Sequence, residues 1–207
     1  MTIERKFIDN SVAKLNISRY LSKELTRAGF SRVEIQKTPM LTRITVYVLN
    51  PGRVIGRAGH TIDTLTENIK TKFKVENPQI NVMEVENKML EPVLVAKDIT
   101  EKLERGLNSR KIIQFALKTI VQNGALGAEI IASGKLKAKG AKKSSVRKSL
   151  GYIPKAGNVT ELVREGSAVA YPKYGAIGVK VRIVPPGTVF PDREIKPLEI
   201  PKAILNA

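Results

Sequence analysis

Cysteine and tryptophan are absent from the 207-residue sequence, and histidine occurs once. Without cysteine, the chain can form no disulfide scaffold, no thiolate zinc site and no cysteine nucleophile. The one histidine, His60, excludes metal motifs that need two histidines, and it has no companion residues of the kind that a Ser-His-Asp triad requires. We therefore expect no catalytic residue, no metal site and no cofactor, and hence a protein that is not an enzyme.

Long apolar runs and aromatic residues are also scarce. No stretch approaches the roughly 18 consecutive apolar residues of a transmembrane helix, so we expect no membrane partner. Residues 1–10 lack a hydrophobic signal core, and we expect the protein to remain in the cytoplasm, where it is made. Aromatic residues make up only 5% of the chain, which argues against RNA binding on an aromatic-rich sheet.

Positive charge is what the sequence has in excess. Lysine and arginine number 36 against 19 aspartates and glutamates, which gives a formal net charge of +17. With 42% hydrophobic residues, the chain has enough apolar material to fold, and its length suits one or two domains. A surface of this sign attracts phosphate, so the composition predicts a polyanionic partner.

Hydrophobic spacing predicts the order helix, strand, strand, short helix, loop, helix, strand for residues 1–88. The first helix is predicted to end at Gly29, and the short helix is predicted to start after Asn50 as its N-cap, with Pro51 in the first turn and Gly56 at its end. The residues predicted to face inward are Ile17, Leu21, Leu25 and Ala28 in the first helix, Val33 and Ile35 and then Ile44, Val46 and Val48 in the strands, and Ile62, Leu65, Ile69 and Phe73 in the second full helix. The last strand is predicted from Ile80, Val82, Met83 and Val85.

The second half of the chain is predicted to begin with two helices and to continue as β structure. One helix carries Val95, Ile99 and Leu103 on its inner face. The other carries a broader apolar stripe from Ile112 to Val121, with Ser109 as the expected cap. Strands are predicted at 128–132, 168–170 and 177–183, the last with Lys180 and Arg182 facing outward. Prolines crowd residues 185–201, which predicts an extended tail with little core of its own.

Residues 130–160 contain no acidic residue and carry the densest group of cations in the chain. We interpret this segment as a clamp for a phosphate backbone, and we expect part of it to stay mobile until that partner neutralises it. Its predicted RNA-binding residues are Lys135, Lys137, Lys139, Lys142, Lys143, Arg147 and Lys148. The alternative is a solubilising loop, which the repulsion between uncompensated cations disfavours.

The most specific local signal is the nonapeptide Val54-Ile-Gly-Arg-Ala-Gly-His-Thr-Ile62, between two predicted helices. Two glycines permit close approach of the loop backbone to a nucleic-acid strand, and the following helix directs its unpaired N–H groups at phosphate. Val54, Ile55 and Ile62 are expected to face inward and hold the loop. The predicted RNA-binding residues here are Arg53, Gly56, Arg57, Ala58, Gly59 and His60. The alternative is a plain connection between helices with glycines as turn residues.

This nonapeptide resembles the VIGxxGxxI signature of KH domains, and the elements before it are similar to the N-terminal extension of the type II KH topology. Residues 127–136 (GAEIIASGKL) and 174–183 (YGAIGVKVRI) follow in an order that closely resembles the family of small-subunit ribosomal protein three, of the archaeal type. The resemblance covers about residues 10–185. It implies a position in the head of the small ribosomal subunit, near the entrance of the messenger channel. It also implies contact with small-subunit rRNA, for which the acid-free segment is the expected clamp, with messenger RNA and with ribosomal proteins ten and fourteen.

The resemblance also assigns a role to the helix that starts near Ser109. In the family, basic residues of this helix line the entrance for messenger RNA and help to open RNA duplexes. Arg110 and Lys111 match that pattern, and Lys118 shares a face with Lys111. Gln114 departs from it, because bacterial relatives tend to carry a basic residue there. A solvent-exposed charged face with no RNA contact is the alternative.

Together these patterns predict an α/β protein of the α+β kind. Residues 1–88 are expected to form a type II KH domain, a three-stranded mixed sheet with helices on one face. Residues 89–190 are expected to form a domain of two helices and a mainly antiparallel sheet, and residues 191–207 the proline-rich tail. The expected function is structural RNA binding in the small subunit. The alternatives are a free-standing KH regulator or RNA chaperone, and a DNA lyase, an activity linked with eukaryotic relatives.

Overall fold

The computed structural model of the chain describes residues 3–38, 40–73, 75, 77–136 and 142–191. Contacts divide the chain into two units, and the division lies between Glu86 and Asn87. The functional division into 1–88, 89–190 and 191–207 stays a prediction. Residues 192–207 of the expected tail lie outside the described residues, as do Lys137 and Lys139 of the predicted clamp.

The first unit has the predicted order of elements. These are α1 (Ile3–Glu24), a 3₁₀ turn (Leu25–Ala28), β1 (Phe30–Lys37), β2 (Thr42–Val48), α2 (Pro51–Ile55), a second 3₁₀ turn (Arg57–Gly59), α3 (His60–Phe73) and β3 (Pro78–Glu84). Strand β2 lies in the middle, antiparallel to β1 and parallel to β3, so the predicted mixed sheet is confirmed.

The core of this unit lies between one face of the sheet and the helices. Ile44, Val46 and Val48 alternate along β2, so they point to one face, and all three are fully buried. Leu21 of α1 and Ile69 of α3 belong to the same buried cluster. The helices therefore pack on one face of the sheet, as predicted.

Helix α1 is longer than its inner stripe indicated. The four predicted inner residues are buried, and Gly29 ends the segment in the left-handed region at φ 74°. The helix already begins at Ile3, however, and its first half exposes a row of apolar side chains. That row comprises Phe7, Ile8, Val12 and Leu15.

The second unit contains a 3₁₀ turn (Lys88–Leu90), α4 (Pro92–Glu104), α5 (Ser109–Gln122), β4 (Gly127–Gly134), β5 (Ser144–Gly151), a further 3₁₀ segment (Asn158–Leu162), β6 (Arg164–Ala170) and β7 (Ile177–Val184). The strands form one antiparallel sheet in the order β5-β4-β7-β6. Its main core contains residues of α4, α5, β4 and β7. The predicted two-helix, antiparallel domain is confirmed.

Close contact between α4 and the sheet depends on a glycine in β6. A Cβ on Gly166 would lie 2.5 Å from the carbonyl carbon of Pro92, at the first turn of α4. No side chain fits at that distance, so glycine lets the helix start directly against the strand.

A strand occupies part of the segment that was expected to be mobile. Residues Ser144–Gly151 form β5, which pairs with β4 along its whole length. Val146 packs against the core, and Leu150 pairs with Ala128. Backbone pairing along β4 and two inward apolar side chains hold this strand, and the expected mobility of part of the segment before RNA binds stays a prediction.

The face of the second sheet that points away from α4 and α5 also carries a small apolar cluster, which the sequence did not predict. Leu126, Val184 and Phe190 are buried together there, and the ring of Tyr152 meets that of Phe190 edge-on at 5.4 Å between centroids. Residues 185–201 were expected to have little core of their own, and Phe190 corrects that expectation at its position.

Candidate nucleic-acid interface

The loop between α2 and α3 turns through three residues with positive φ. Gly56 has φ 75° and ψ −174°, Ala58 has φ 52°, and Gly59 has φ 81°. Left-handed alanine is uncommon because its Cβ crowds the backbone, so the surrounding turn determines this conformation. Ala58 is exposed on the loop, together with Arg57 and His60.

The two glycines of the loop differ in how much room there is for a side chain. A Cβ on Gly56 would lie 2.7 Å from the Cβ of Thr61 and closer still to its hydroxyl oxygen. Gly56 is thus required by its own chain, and its contact with RNA stays a prediction. The nearest atom to a Cβ on Gly59 is a carboxylate oxygen of Asp63 at 3.8 Å. The open path to the backbone therefore lies at Gly59.

Val54 anchors the loop, and Ile55 does not. Val54 is fully buried and Ile62 partly buried, as predicted, whereas Ile55 is 43% exposed. Successive residues of a helix point about 100° apart, so two neighbours in the short helix α2 cannot both face the core. The prediction for Ile55 was wrong for this reason.

Arg53 lies beside the loop with one end of its guanidinium fixed. Its Nη1 donates a hydrogen bond to the carbonyl oxygen of Arg27 at 2.8 Å. His60, in the first turn of α3, accepts a hydrogen bond from the Thr64 hydroxyl at its backbone oxygen, 2.8 Å away. Asn50 is the N-cap of α2, as predicted, although its side chain makes no capping hydrogen bond.

Helix α5 is capped by Asn108, one residue before the predicted cap. The Asn108 side-chain oxygen accepts a hydrogen bond from the backbone N–H of Arg110 at 3.1 Å. Ser109 is instead the first helical residue, which corrects the prediction. The cap shifts by one because Asn108 has the extended backbone that an N-cap needs. Arg110 and Lys111 are exposed in the first turn, and Lys118 is partly exposed two turns later.

The first residues of β5, which belong to the acid-free segment, lie next to the start of α5. Lys135 is partly exposed, and Lys142, Lys143 and Lys148 are exposed. A surface cavity of about 540 Å³ is lined by Arg110 of α5 and by the first residues of β5, including Ser144 and Ser145. Of the predicted helix residues, the structure therefore brings Arg110 close to the start of β5, the strand that carries Arg147 and Lys148 of the clamp.

Arg147 of the predicted clamp has an acidic partner. Its Nε donates to a carboxylate oxygen of Glu129, a β4 residue only 1% exposed. Arg182 of β7 approaches the other oxygen of Glu129 at 3.5 Å. Two arginines therefore compensate one buried carboxylate, which keeps the cost of its burial low.

An ion-pair network, which sequence reasoning missed, continues across the face of the sheet away from the helices. Glu165 of β6 pairs with Lys180 and Arg182 of β7. The hydrogen bond from Lys180 is the main reason that the pKa of Glu165 lies below its ordinary value, and the bond from Arg182 adds to it. The predicted outward direction of Lys180 and Arg182 was the available signal, because outward residues on paired strands meet each other.

One lysine outside the predicted site has a perturbed pKa. Burial of Lys97, on α4, lowers the pKa of its amine below 10.5. Among the described residues, no group of three histidines, aspartates or glutamates is arranged to hold a metal ion. Within that same part of the chain, no helix combines the length and the apolar character needed to cross a membrane.

Comparison with known proteins agrees with this architecture. Residues 16–90 match the family model described as KH domain, and residues 99–183 match the one described as Ribosomal protein S3, C-terminal domain. The chain is 42% identical over 193 residues to small ribosomal subunit protein uS3 of Methanospirillum hungatei, with 93% of this chain and 81% of the relative covered. The chain belongs to the uS3 family.

Two further uS3 proteins are similar over nearly the same length. The protein from Methanothrix thermoacetophila is 44% identical over 194 residues, covering 93% of this chain and 69% of the relative. The protein from Methanothermobacter thermautotrophicus is 41% identical over 192 residues, covering 92% and 74%. The predicted family and its archaeal type are confirmed. Because uS3 is a ribosomal protein and not an enzyme, the prediction of a non-enzymatic protein is confirmed as well.

Proposed function

We propose that the chain is a structural constituent of the small ribosomal subunit that binds small-subunit rRNA in the head of the subunit. The observation that carries this proposal is the match to uS3 relatives along 93% of the chain, since those relatives are named as proteins of the small subunit. The net charge of +17 supports it, because phosphate neutralisation releases counterions and gives affinity with little base recognition. The proposed location is the cytoplasm, on the ribosome.

In the first unit, we propose that the loop from Gly56 to Gly59 holds the backbone of a single RNA strand. The exposed Arg57 supplies charge, and Arg53 supplies a guanidinium whose position is fixed by the carbonyl of Arg27. The lack of a side chain at Gly59 leaves room for sugar and phosphate. The first turn of α3, which begins at His60, adds unpaired backbone N–H groups.

In the second unit, we propose two RNA contacts. The clamp residues bind rRNA through Lys135, Lys142, Lys143, Arg147 and Lys148. Arg110, Lys111 and Lys118 of α5 contact messenger RNA at the entrance of the channel. The cavity between α5 and β5 supports a continuous phosphate-binding surface, because it brings Arg110 to the start of the clamp strand. Ribosomal proteins ten and fourteen are the proposed protein neighbours, on the basis of the family resemblance.

Co-sedimentation with small subunits tests the assignment to the ribosome. The full chain should sediment with small ribosomal subunits and remain bound after washing in high salt, because an assembled subunit protein makes many simultaneous contacts. A free-standing KH regulator or RNA chaperone should be released by the wash. Release of the chain with subunits left intact would contradict the proposal.

The double variant Arg110→Ala, Lys111→Ala tests the messenger contact. We expect slower translation through messenger hairpins and little change in subunit assembly, because both side chains lie exposed on the surface of α5. The ratio of elongation rates on structured and unstructured messengers is the measurement. Gln122→Ala, an exposed change on the same helix, serves as the control. An unaltered rate through hairpins would remove α5 from the messenger path.

A further inference from the structure

The solvent face of α5 carries an aromatic ring. This helix buries a broad apolar stripe against the sheet, and Phe115 lies on the opposite side, 64% exposed. Core packing therefore does not account for the ring. Single exposed apolar residues are common, so exposure alone does not indicate that Phe115 binds a ligand. The residues around the ring give the stronger indication.

Three lysines surround this ring. Lys111 lies one turn before Phe115 and Lys118 about one turn after it, and residues three or four apart on a helix are surface neighbours. Lys102 of the adjacent helix α4 places its Nζ 5.8 Å from the ring centroid, while the same ammonium also bonds Asp98 at 2.7 Å. The ring is thus an apolar, flat surface within a cationic one.

A ligand that suits such a surface carries a flat ring close to negative charge. An apolar protein side chain would match the phenyl ring but would not match the positive charge of the lysines around it. A nucleotide of single-stranded RNA supplies both parts, since its base has a π face and its phosphates lie one sugar away. The exposed amide of Gln114 on the same helix can also hydrogen-bond the edge of a base.

We propose that Phe115 is a base-stacking residue, on which an unpaired base of single-stranded RNA lies while its neighbouring phosphates contact Lys111 and Lys118. This inference rests on the proposed contact between α5 and messenger RNA. It adds a contact with the bases to the proposed contacts with the phosphates. A stacked base is unavailable for pairing, so the ring favours the opened state of a messenger strand over a hairpin.

The absence of tryptophan from the chain makes the test direct. Phe115→Trp introduces a single tryptophan, whose fluorescence is quenched when a base stacks on it. The full chain is titrated with an oligoadenylate of about 12 nucleotides and with an abasic oligomer of equal length, which keeps the phosphates and lacks the bases. Stacking predicts strong quenching by oligoadenylate and none by the abasic oligomer, although both bind.

Phe115→Ala supplies the affinity measurement. Base–aromatic stacking predicts about a tenfold loss of affinity for oligoadenylate and no loss for the abasic oligomer. Phe115→Trp should retain the wild-type affinity. Alanine favours helix at an exposed position, so the fold is retained, and circular dichroism checks this. The matched control is Tyr171→Trp, an aromatic position of the same unit that is 73% exposed and adjoins Glu104, where emission should not change.

The remaining outcomes each overturn the inference. If Phe115→Trp binds oligoadenylate without quenching, or if Phe115→Ala weakens both oligomers equally, the ring does not stack while the proposed RNA contact of α5 stands. If Phe115→Ala spares both oligomers and weakens only co-sedimentation with small subunits, the ring contacts a protein. If the wild-type chain binds neither oligomer, the proposed RNA contact fails and the inference fails with it.

Discussion

At the scale of single residues, the loop between α2 and α3 contains one glycine that the fold requires, Gly56, and one with room for a side chain, Gly59. Gly56 combines a positive φ with an extended ψ, a region that is almost exclusive to glycine, and its missing Cβ makes room for Thr61. Gly59 also has positive φ, but a Cβ there would meet only an Asp63 carboxylate oxygen, at an ordinary contact distance of 3.8 Å. The GxxG pattern alone does not distinguish these two glycines.

Alanine substitution should separate the two positions. We expect Gly56→Ala to destabilise the first unit by about 3 kcal/mol, because the new Cβ is both strained and in collision with Thr61. We expect Gly59→Ala to cost about 1 kcal/mol, which is the conformational cost alone. Hydrogen exchange of the β2 amides measures both values, and equal costs would contradict the role assigned to Thr61.

Negative charge on the loop should weaken RNA binding and spare the fold. The left-handed conformation of Ala58 is one that aspartate tolerates, and His60 lies in the first turn of α3, where an acidic residue is favourable. We therefore expect Ala58→Asp, His60→Asp to lower affinity for single-stranded RNA with an unchanged circular dichroism spectrum. The pair Ala58→Asn, His60→Asn is the uncharged control. Wild-type affinity of the aspartate variant at low salt would exclude the loop from the interface.

At the scale of helices and strands, the sheet of the second unit contains one strand that the sequence predicted well, β7, and one that it did not predict, β5. Strand β7 was predicted because Val179, Val181 and Ile183 alternate with polar residues, and all three are buried. Strand β5 was missed because it lies at the sheet edge, where Lys148 can occupy the helix-facing side opposite Ile130 and still reach water. At an edge strand, alternation of apolar and polar residues is not required for pairing.

The ion pairs of Glu165 give this sheet a pH dependence. The pKa of Glu165 is lower in the folded chain than its ordinary value of 4.5, so its carboxylate contributes stability above that pH. The contribution is lost as the pH falls from about 4.5 through the folded pKa. We expect Glu165→Gln to melt at lower temperature than wild type near neutral pH and to lose less stability on acidification. Parallel melting curves for the two proteins between about pH 6 and pH 3 would contradict this role.

The candidate site was predictable where it depends on charge and hidden where it depends on packing. Arg57, Arg110 and the clamp lysines could be identified from the sequence because cations at a surface need no partner within the chain. The compensation of Arg147 by Glu129 could not, since it follows from the pairing of β4 with β5. Phe115 was passed over for a related reason: scarce aromatic residues argued against stacking, and only the helix packing shows which ring faces water.

At the scale of the whole molecule, the excess of cations determines how RNA binding responds to salt. Each lysine that neutralises a phosphate adds close to one counterion to the number released on binding. We expect Lys142→Ala, Lys143→Ala to lower the slope of log K against log salt concentration by about two for small-subunit rRNA. Lys23→Ala, Lys70→Ala removes the same charge from exposed positions outside the predicted contacts and should leave the slope unchanged. Equal slopes for all three proteins would place the clamp lysines away from phosphate.

The charge on edge strand β5 also matters before any RNA is bound. A free strand edge is a template on which a second copy can add its own strand, and this is a common route to aggregation. Arg147 and Lys148 lie in the middle of that edge, so an antiparallel pair of β5 strands would bring cations of the two copies close together. The lysines and arginines proposed to hold rRNA thus oppose self-association in newly made chains that have not yet been incorporated into a ribosomal subunit.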